Sequence, residues 1–467
     1  MIRAAAHDLQ NASHRFCTKP PSGAHPTAIA FRDSAKATFR NPRASRSLAL
    51  AAAFIIILSS HYACAAGLSL YETGAPDLGT AGAGRAAMGE DASTAASNPA
   101  AMELLDRTQL LTAGGAMLPS INFDRGSQTK VPGGGGGGGN AGVFFPLGSF
   151  FFVYKLSEKF RLGVAVDSNF GLADDFGKQW VGRYYLTSSS LIAGQVNPSI
   201  AYRVNEWLSV GVGGSFAVAR LSTQAKINNI LPRFGDGGLG IESWDEAFGG
   251  NVGFLLEPIK HLRIGLTYNS PVYFKFGFHP NVTGLGPGLR FALKKSGLLG
   301  AKANLSMTEP QQMMSSAIYE LTPAFALMGN IGWQNWSQFG QTTLGISGTT
   351  QKSLAVNLKY SDTIQIAFGG QYRLAEKWLL SAGFAYDSSP VSEANRTPSL
   401  PLDRQLRYGT GVQYELSDNV VVGIANELLD AGDAPYNVKR GPLAGRVQGD
   451  FSSNYLDFLA ANLIWKF

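Results

Sequence analysis

Few residues in this chain are of a type that does covalent chemistry. Both cysteines, Cys17 and Cys64, lie within the first 65 residues. Everything after them offers no disulfide, no thiolate nucleophile and no Cys-ligated metal site. Of six histidines, only His261 and His279 lie beyond residue 65. The first sits in a short turn-like stretch and the second beside Pro280. A Ser-His-Asp site needs a nucleophile on a tight elbow, and no such pattern accompanies either histidine. Gly82-Ala83-Gly84-Arg85-Ala86-Ala87 loosely follows a dinucleotide fingerprint. No strand pattern precedes it and no βαβ unit follows, so it fails the context that fingerprint needs. The expectation is no catalytic residue, no metal and no cofactor.

Charge points the same way. The net charge of +6 over 467 residues suggests a binder of anions, but its distribution does not. Residues 1–65 hold eight of the 39 basic residues and two of the 33 acidic ones, so 31 of each remain from Ala66 onward. That balance removes the electrostatic argument for nucleic acid. The first 65 residues read as an extended leader. Arg43 and Arg46 precede an apolar run from Leu48 to Leu58, which is too short to span a bilayer as a helix. Ala63-Cys64-Ala65 then supplies the small-x-small pattern of a signal-peptide cleavage site before Ala66. Residues 1–42 are longer and more polar than an ordinary leader start.

The elements that must carry any function are strands. Beyond the leader no apolar run reaches the length of a membrane helix, while many segments alternate with period two. Trp378, Leu380, Ala382, Phe384 and Tyr386 share one face, against Leu379, Ser381, Gly383, Ala385 and Asp387. Leu406, Tyr408, Thr410, Val412 and Tyr414 repeat the pattern, as do Leu162, Val164 and Val166, and Leu262, Ile264, Leu266 and Tyr268. A soluble sandwich would alternate too. Three features favour a membrane barrel. Tight turns such as Ser157-Glu158-Lys159, Asn205-Glu206, Ala375-Glu376-Lys377 and Ser417-Asp418-Asn419 alternate with long Gly- and Pro-rich stretches, including Gly133–Gly139. Trp207, Trp378 and Trp465 fall near strand ends, where an interfacial girdle belongs. The chain also ends in an alternating strand, Tyr455 to Phe467, closed by an aromatic residue.

The pattern predicts an all-β fold, a 14-stranded antiparallel transmembrane barrel over residues 107–467. The expected strands are 108–121, 144–155, 160–170, 188–203, 207–221, 247–257, 262–276, 303–320, 325–337, 363–374, 378–388, 405–416, 420–428 and 455–467. Residues 66–106 do not alternate. They are rich in Gly and Ala, with a helix-like stretch at Asp91–Met102, and are expected to form an N-terminal plug inside the lumen.

Several motifs then carry a resemblance. They begin with Ala66-Gly67-Leu68, Gly79, Gly84, Asp91-Ala92 and Asn98-Pro99-Ala100. Phe170 to Asp175, Trp180 to Tyr185, Asn197 to Arg203, Gly265 to Tyr268 and Trp333 to Phe339 follow in order. Asp387 to Val391 and Leu400 to Arg404 complete the set. In their order and number they resemble the FadL-type outer-membrane transporters of long-chain fatty acids and aromatic hydrocarbons, over the whole chain after the leader.

That resemblance implies passive uptake of hydrophobic compounds, foremost long-chain fatty acids, across the outer membrane of a Gram-negative cell. Substrate would bind an apolar outer groove, pass to a lumen pocket gated by the N-terminal hatch, and leave sideways at a kinked third strand. The kink is expected at Asn169–Ala173, with Asn98 and Pro99 of the hatch against it and Asn169, Gly171 and Leu172 forming the gate. Leu68, Leu70, Ser168 and Phe170 would touch ligand, and Arg220 would meet a carboxylate. A plain turn or cap is the competing role for Asn98-Pro99, and a structural ion pair for Arg220. Implied partners are the bilayer, lipopolysaccharide and, through Phe467, the barrel-assembly machinery; the chain is expected to be a monomer. Competing classes are an aromatic or alkane channel of the same family, a general porin, and a barrel enzyme.

Overall fold

The computed structural model describes residues 68, 69, 73, 76–347 and 352–467. The leader expected over 1–65, its apolar core at 48–58, the cleavage before Ala66 and the ligand contact at Leu70 all lie outside the described residues.

Fourteen antiparallel strands close into a ring. The first seven are β1 (Gln109–Ser120), β2 (Phe145–Lys155), β3 (Phe160–Asp175), β4 (Ser188–Arg203), β5 (Leu208–Asn228), β6 (Asp236–Ile259) and β7 (Leu262–Asn269). The others are β8 (Gln312–Thr322), β9 (Phe325–Gln334), β10 (Thr363–Ala375), β11 (Trp378–Asp387), β12 (Gln405–Ser417), β13 (Val420–Asp430) and β14 (Tyr455–Lys466). Each pairs with the next, and β14 returns to β1 from the Gln109–Lys466 pair to the Ser120–Tyr455 pair.

The alternation is inverted relative to a soluble protein. Phe150, Phe216, Phe248, Leu327, Ile331, Phe368 and Ile424 are exposed on the outer surface. Asn197, Asn251, Asn330, Asp387, Arg407 and Glu427, from the same or adjacent strands, are buried inside. Hydrocarbon surroundings reward that arrangement, and ring closure satisfies the backbone groups that lipid cannot. On β14, Tyr455, Leu459 and Trp465 face out while Leu456, Phe458 and Ile464 face in. Strands join by short turns at one end, where Gln109 and Lys466 also lie, and by long connections at the other. The short-turn end is therefore periplasmic.

The expected strand count stands, but two expected strands are each two elements. The run expected at 262–276 breaks at Ser270-Pro271, and that at 303–320 breaks at Pro310. Proline has no N–H for the ladder, so both chains leave the wall there. Val272–Phe278 and Lys302–Glu309 instead pair with each other. Gln341–Ser347 and Lys352–Asn357 extend them into a four-stranded sheet at the outer end. Apolar alternation runs through both prolines, which is why periodicity alone joined them. The sheet packs Phe274, Phe276, Leu305 and Met307 into one core with Leu191, Leu221 and Ile241 of the wall. The third, fifth and sixth strands also run past their expected limits, to Asp175, to Asn228 and back to Asp236. A second outer cluster buries Phe123, Phe176, Trp180, Tyr185, Tyr436 and Phe451, with Phe176 stacked on Trp180 at 4.3 Å.

The helix-like stretch at Asp91–Met102 is two short helices, Thr94–Ser97 and the 3₁₀ turn Pro99–Leu104. Asn98 between them is extended, at φ −155° and ψ 103°. A residue before proline is pushed out of the helical region, and that divides the helix here.

Candidate functional site

The ladder between β2 and β3 stops well short of the ends of both strands. β2 and β3 pair from Lys155–Arg161 up to Phe150–Val166 and no further. Beyond that point Phe145 to Ser149 still pair with β1, and Asp167 to Asp175 still pair with β4. The two chains meet again only at the Gly142–Asp174 bridge, where the Asp175 amide donates to the Ala141 carbonyl at 2.8 Å. A window thus lies between β2 and β3, framed by Phe150–Val166 below and Gly142–Asp174 above.

A register shift starts the window. Asp167 pairs with Gln195, and the next pair is Phe170 with Ala193. Ser168 and Asn169 therefore oppose Gly194 alone, which is a bulge, and a bulge bends its strand. The Ser168 hydroxyl donates to the Ala193 carbonyl at 2.8 Å. The irregularity is centred on Ser168-Asn169, upstream of Gly171. Gly171 and Leu172 lie in the regular ladder beyond it, opposite Ile192 and Leu191. Leu68 and Ser69 pair antiparallel with Gly171 and Phe170. Those two residues give one edge to β4, so Leu68-Ser69 takes the edge that β2 has left.

The segment behind Leu68 crosses the ring. Gly79 lies against Gly411 of β12, and Pro99 against Gly211 of β5. Those strands are seven places apart in a ring of fourteen, so they are diametrically opposed. Bare backbone is needed where the segment touches the wall. A Cβ on Gly265 would collide with the Ala86 carbonyl, and one on Gly253 with the Asn98 side chain. Side chains then fix the segment. Arg85 pairs with Asp77 inside it. The Gly84 amide donates to Asn330 Oδ1 at 3.2 Å, and the Ala86 amide to Ser316 Oγ at 3.0 Å. At the periplasmic end the Glu103 carboxylate lies 3.6 Å from Arg161 and 3.7 Å from Arg203. Burial raises the Glu103 carboxyl above its usual range, and the two guanidinium groups oppose that rise.

Asn98 is bonded within its own segment and to β6. Its Nδ2 donates to the carbonyls of Ala86 at 2.6 Å and of Phe254 on β6 at 3.1 Å, and its Oδ1 accepts from the Ala100 amide. It is the cap of the Pro99–Leu104 turn, with Pro99 at the first helical position, where a missing N–H does no harm. Of the two roles open to Arg220, the structure shows the ion pair. Ala217, Ala219 and Leu221 of β5 point inward, so Arg220 points outward. It donates to Glu242 Oε1 at 2.6 Å and lies 5.7 Å from the ring of exposed Trp244. An outward ion pair is not available to a carboxylate in the lumen. The two histidines are far from one another in the fold. His261 pairs with Glu320 at 3.1 Å in the β7 turn, and exposed His279 follows the Phe278 end of the outer sheet. Phe467 is exposed beside Trp465, with ring centroids 5.2 Å apart.

Inside the ring, two environments are layered. Toward the outer end lies the apolar core of wall and outer sheet described above. Below it a small polar cavity of about 90 Å³ is lined by Arg85, Asp167, Asn197, Asn251, Asn269 and Glu309, among others. It has room for a few waters. Burial pushes the Glu309 carboxyl up to about 8, with the neighbouring Asp167 charge adding to the rise. Asp91 at the segment's midpoint is pushed up to about 6, again by burial, against the hydrogen bond it accepts from Ser93. Asp91 stands among the motifs that carry the resemblance, but Glu309 is marked out by nothing in its sequence context. A lone acid in an alternating strand is distinctive only once the face it occupies is known.

Ring, inverted surface and broken wall define an outer-membrane β-barrel transport protein. The family model described as outer membrane protein transport protein (OMPP1/FadL/TodX) matches residues 56–462, and the chain belongs to that family. Outer membrane protein P1 of Haemophilus influenzae is 28% identical over 418 residues, covering 80% of this chain and 88% of the relative. The long-chain fatty acid transport protein of Escherichia coli is 26% identical over 446 residues, covering 87% and 97%. Among solved structures, a Pseudomonas aeruginosa FadL homologue superposes with a TM-score of 0.78 at 21% identity, covering 86% of this chain and all of that one. The Pseudomonas putida toluene transporter TodX gives 0.62 at 14%, covering 86% and 99%.

Proposed function

We propose that this protein takes up long-chain fatty acids passively, and that they leave the barrel sideways through the window between β2 and β3. The observation that carries the reading is Leu68-Ser69 paired on the edge of β3 that β2 vacates. A plug whose first residues lie in a wall opening can close it when bound and clear it when displaced. Family membership and the name of the E. coli relative support fatty acids as cargo. Physical chemistry supports the route. An alkyl chain gains roughly 0.8 kcal/mol per buried methylene on leaving water. It gains that in an apolar core and in a bilayer, but not in the polar layer beneath the core. A sideways exit avoids that layer. In this reading the segment over residues 66–106 is the plug, Leu68, Ser168 and Phe170 meet the cargo, and the bonds of Asn98 hold the plug in shape.

The test is uptake of labelled oleate by cells lacking their own fatty-acid transporter and carrying this chain. Restored uptake, lost on deleting residues 66–72, supports the reading. A folded, surface-exposed barrel that restores nothing for oleate but admits toluene would move the cargo to aromatic hydrocarbons.

A further inference from the structure

The long-loop end carries a row of three cations that the uptake route does not use. Tyr436–Lys439 and Arg446–Asp450 form a hairpin, and the segment after Asp124-Arg125 pairs along its other edge. In that ribbon Arg446 stands directly opposite Lys439 on one side and Lys130 on the other. The Lys130–Arg446 bridge is closed by two backbone hydrogen bonds of 2.8 Å, so this part of the row is held by the main chain. Residues directly opposite in a sheet share a face. Val447, next to Arg446, is fully buried in the aromatic outer core, with Val438 packed against it. The three cations therefore point the other way, into solvent.

They line an open depression of about 1050 Å³ with Val131, Pro132 and Pro442, and no carboxylate is among its lining residues. None of the three cations is in an ion pair among the described residues. Arg446 is steered instead by a 3.0 Å hydrogen bond from Nε to Asn437 Oδ1. Like charges placed directly opposite in a sheet destabilise it. Three in one row, on a backbone that fixes their spacing, make sense when anionic groups lie across them. Neighbouring strands are about 4.8 Å apart, so the row spans roughly 10 Å. That span suits a headgroup with more than one phosphate better than a single carboxylate.

We propose that Lys130, Lys439 and Arg446 form a binding site for the phosphate groups of lipopolysaccharide, the anionic lipid on this side of an outer membrane. The site rests on the placement of the long loops outside the cell and is independent of the cargo. The test uses the full chain in nanodiscs, with heat-modifiable gel migration to show folding. Binding is measured to phosphorylated lipopolysaccharide, to the same lipid after dephosphorylation, and to oleate. The Lys130→Gln/Lys439→Gln/Arg446→Gln variant is compared with Lys377→Gln at a periplasmic turn.

The expected result is at least roughly tenfold weaker binding of the phosphorylated lipid by the triple variant, with a matching loss for the parent in high salt. Dephosphorylated lipid and oleate bind parent and variant alike, and Lys377→Gln changes nothing. If the triple variant does not fold, Lys439→Gln alone, at the ribbon edge, is expected to lose about threefold. Unchanged binding of the phosphorylated lipid overturns the proposal. So does a loss that is equal for the dephosphorylated lipid, or one confined to oleate, which would make the row a carboxylate subsite.

Discussion

Glu103 extends from the last turn of the N-terminal segment to within 3.6 Å of Arg161 at the start of β3, and both side chains are almost fully buried. Arg203 of β4 reaches the same carboxylate from a more exposed position. The three residues tie the segment to the two strands that flank the bulge, at the end of the barrel away from the window. One end of the segment is pinned by charge, while the other is held at Leu68-Ser69 by a two-residue ladder.

Removing the carboxylate leaves Arg161 buried without its counter-charge. Glu103→Ala should destabilise the folded barrel by about 3–5 kcal/mol, and Arg203→Ala by much less because that group is partly solvated. Urea unfolding in detergent micelles measures both. Equal effects from the two substitutions would mean that the pair nearer solvent carries the anchor.

Gly265 is where the wall admits the Ala86 carbonyl. Gly265→Ala must push the segment away from β7, at a cost of about 1–3 kcal/mol. The expected consequence is a leakier lumen, seen as higher single-channel conductance in planar bilayers. Unchanged conductance with unchanged stability would show that the segment yields freely at this point.

The chain beyond residue 65 has no cysteine, so an engineered pair is free of background. Leu68 and Gly171 are direct partners across an antiparallel ladder, a spacing within disulfide range. Leu68→Cys with Gly171→Cys should oxidise readily and block oleate uptake, and reduction should restore it. Uptake that persists in the fully cross-linked protein would remove the window from the route.

How much of this was legible beforehand follows from what a period-two pattern records. It records which residues alternate, so the fourteen strands and the outward face of β11, β12 and β14 could be read. It does not record where a chain leaves the sheet, because Val272–Phe278 alternates as regularly as β7 and differs only by the proline before it. Nor does it say which face is inner when both are apolar. Phe216 and Val218 on one face of β5 look much like Ala217 and Leu221 on the other, and Arg220 could be placed on either side. The Asn98-Pro99 motif was visible, but its partner was not. Whether an asparagine caps a turn or touches a distant strand depends on where the next carbonyls lie. The consequence for Arg220 is testable: Arg220→Ala should leave oleate uptake unchanged within a factor of two or so, since an exposed ion pair contributes little.

Glu309 gives the fold a pH dependence. Its carboxyl is raised from an ordinary 4.5 to about 8, so the folded chain holds this proton more tightly than the unfolded one. A raised value contributes stability that is complete below pH 4.5 and is lost as pH climbs through 8. At higher pH the buried carboxylate must be charged beside Asp167, in a cavity with room for only a few waters. The parent barrel should therefore become progressively easier to unfold between about pH 5 and 9, while Glu309→Gln flattens that slope and is the more stable form at pH 9. Unfolding midpoints in urea across that range decide it. Parallel slopes for parent and variant would mean that the carboxyl is hydrated enough to titrate normally. The layer beneath the apolar core would then be wetter than its small cavity implies.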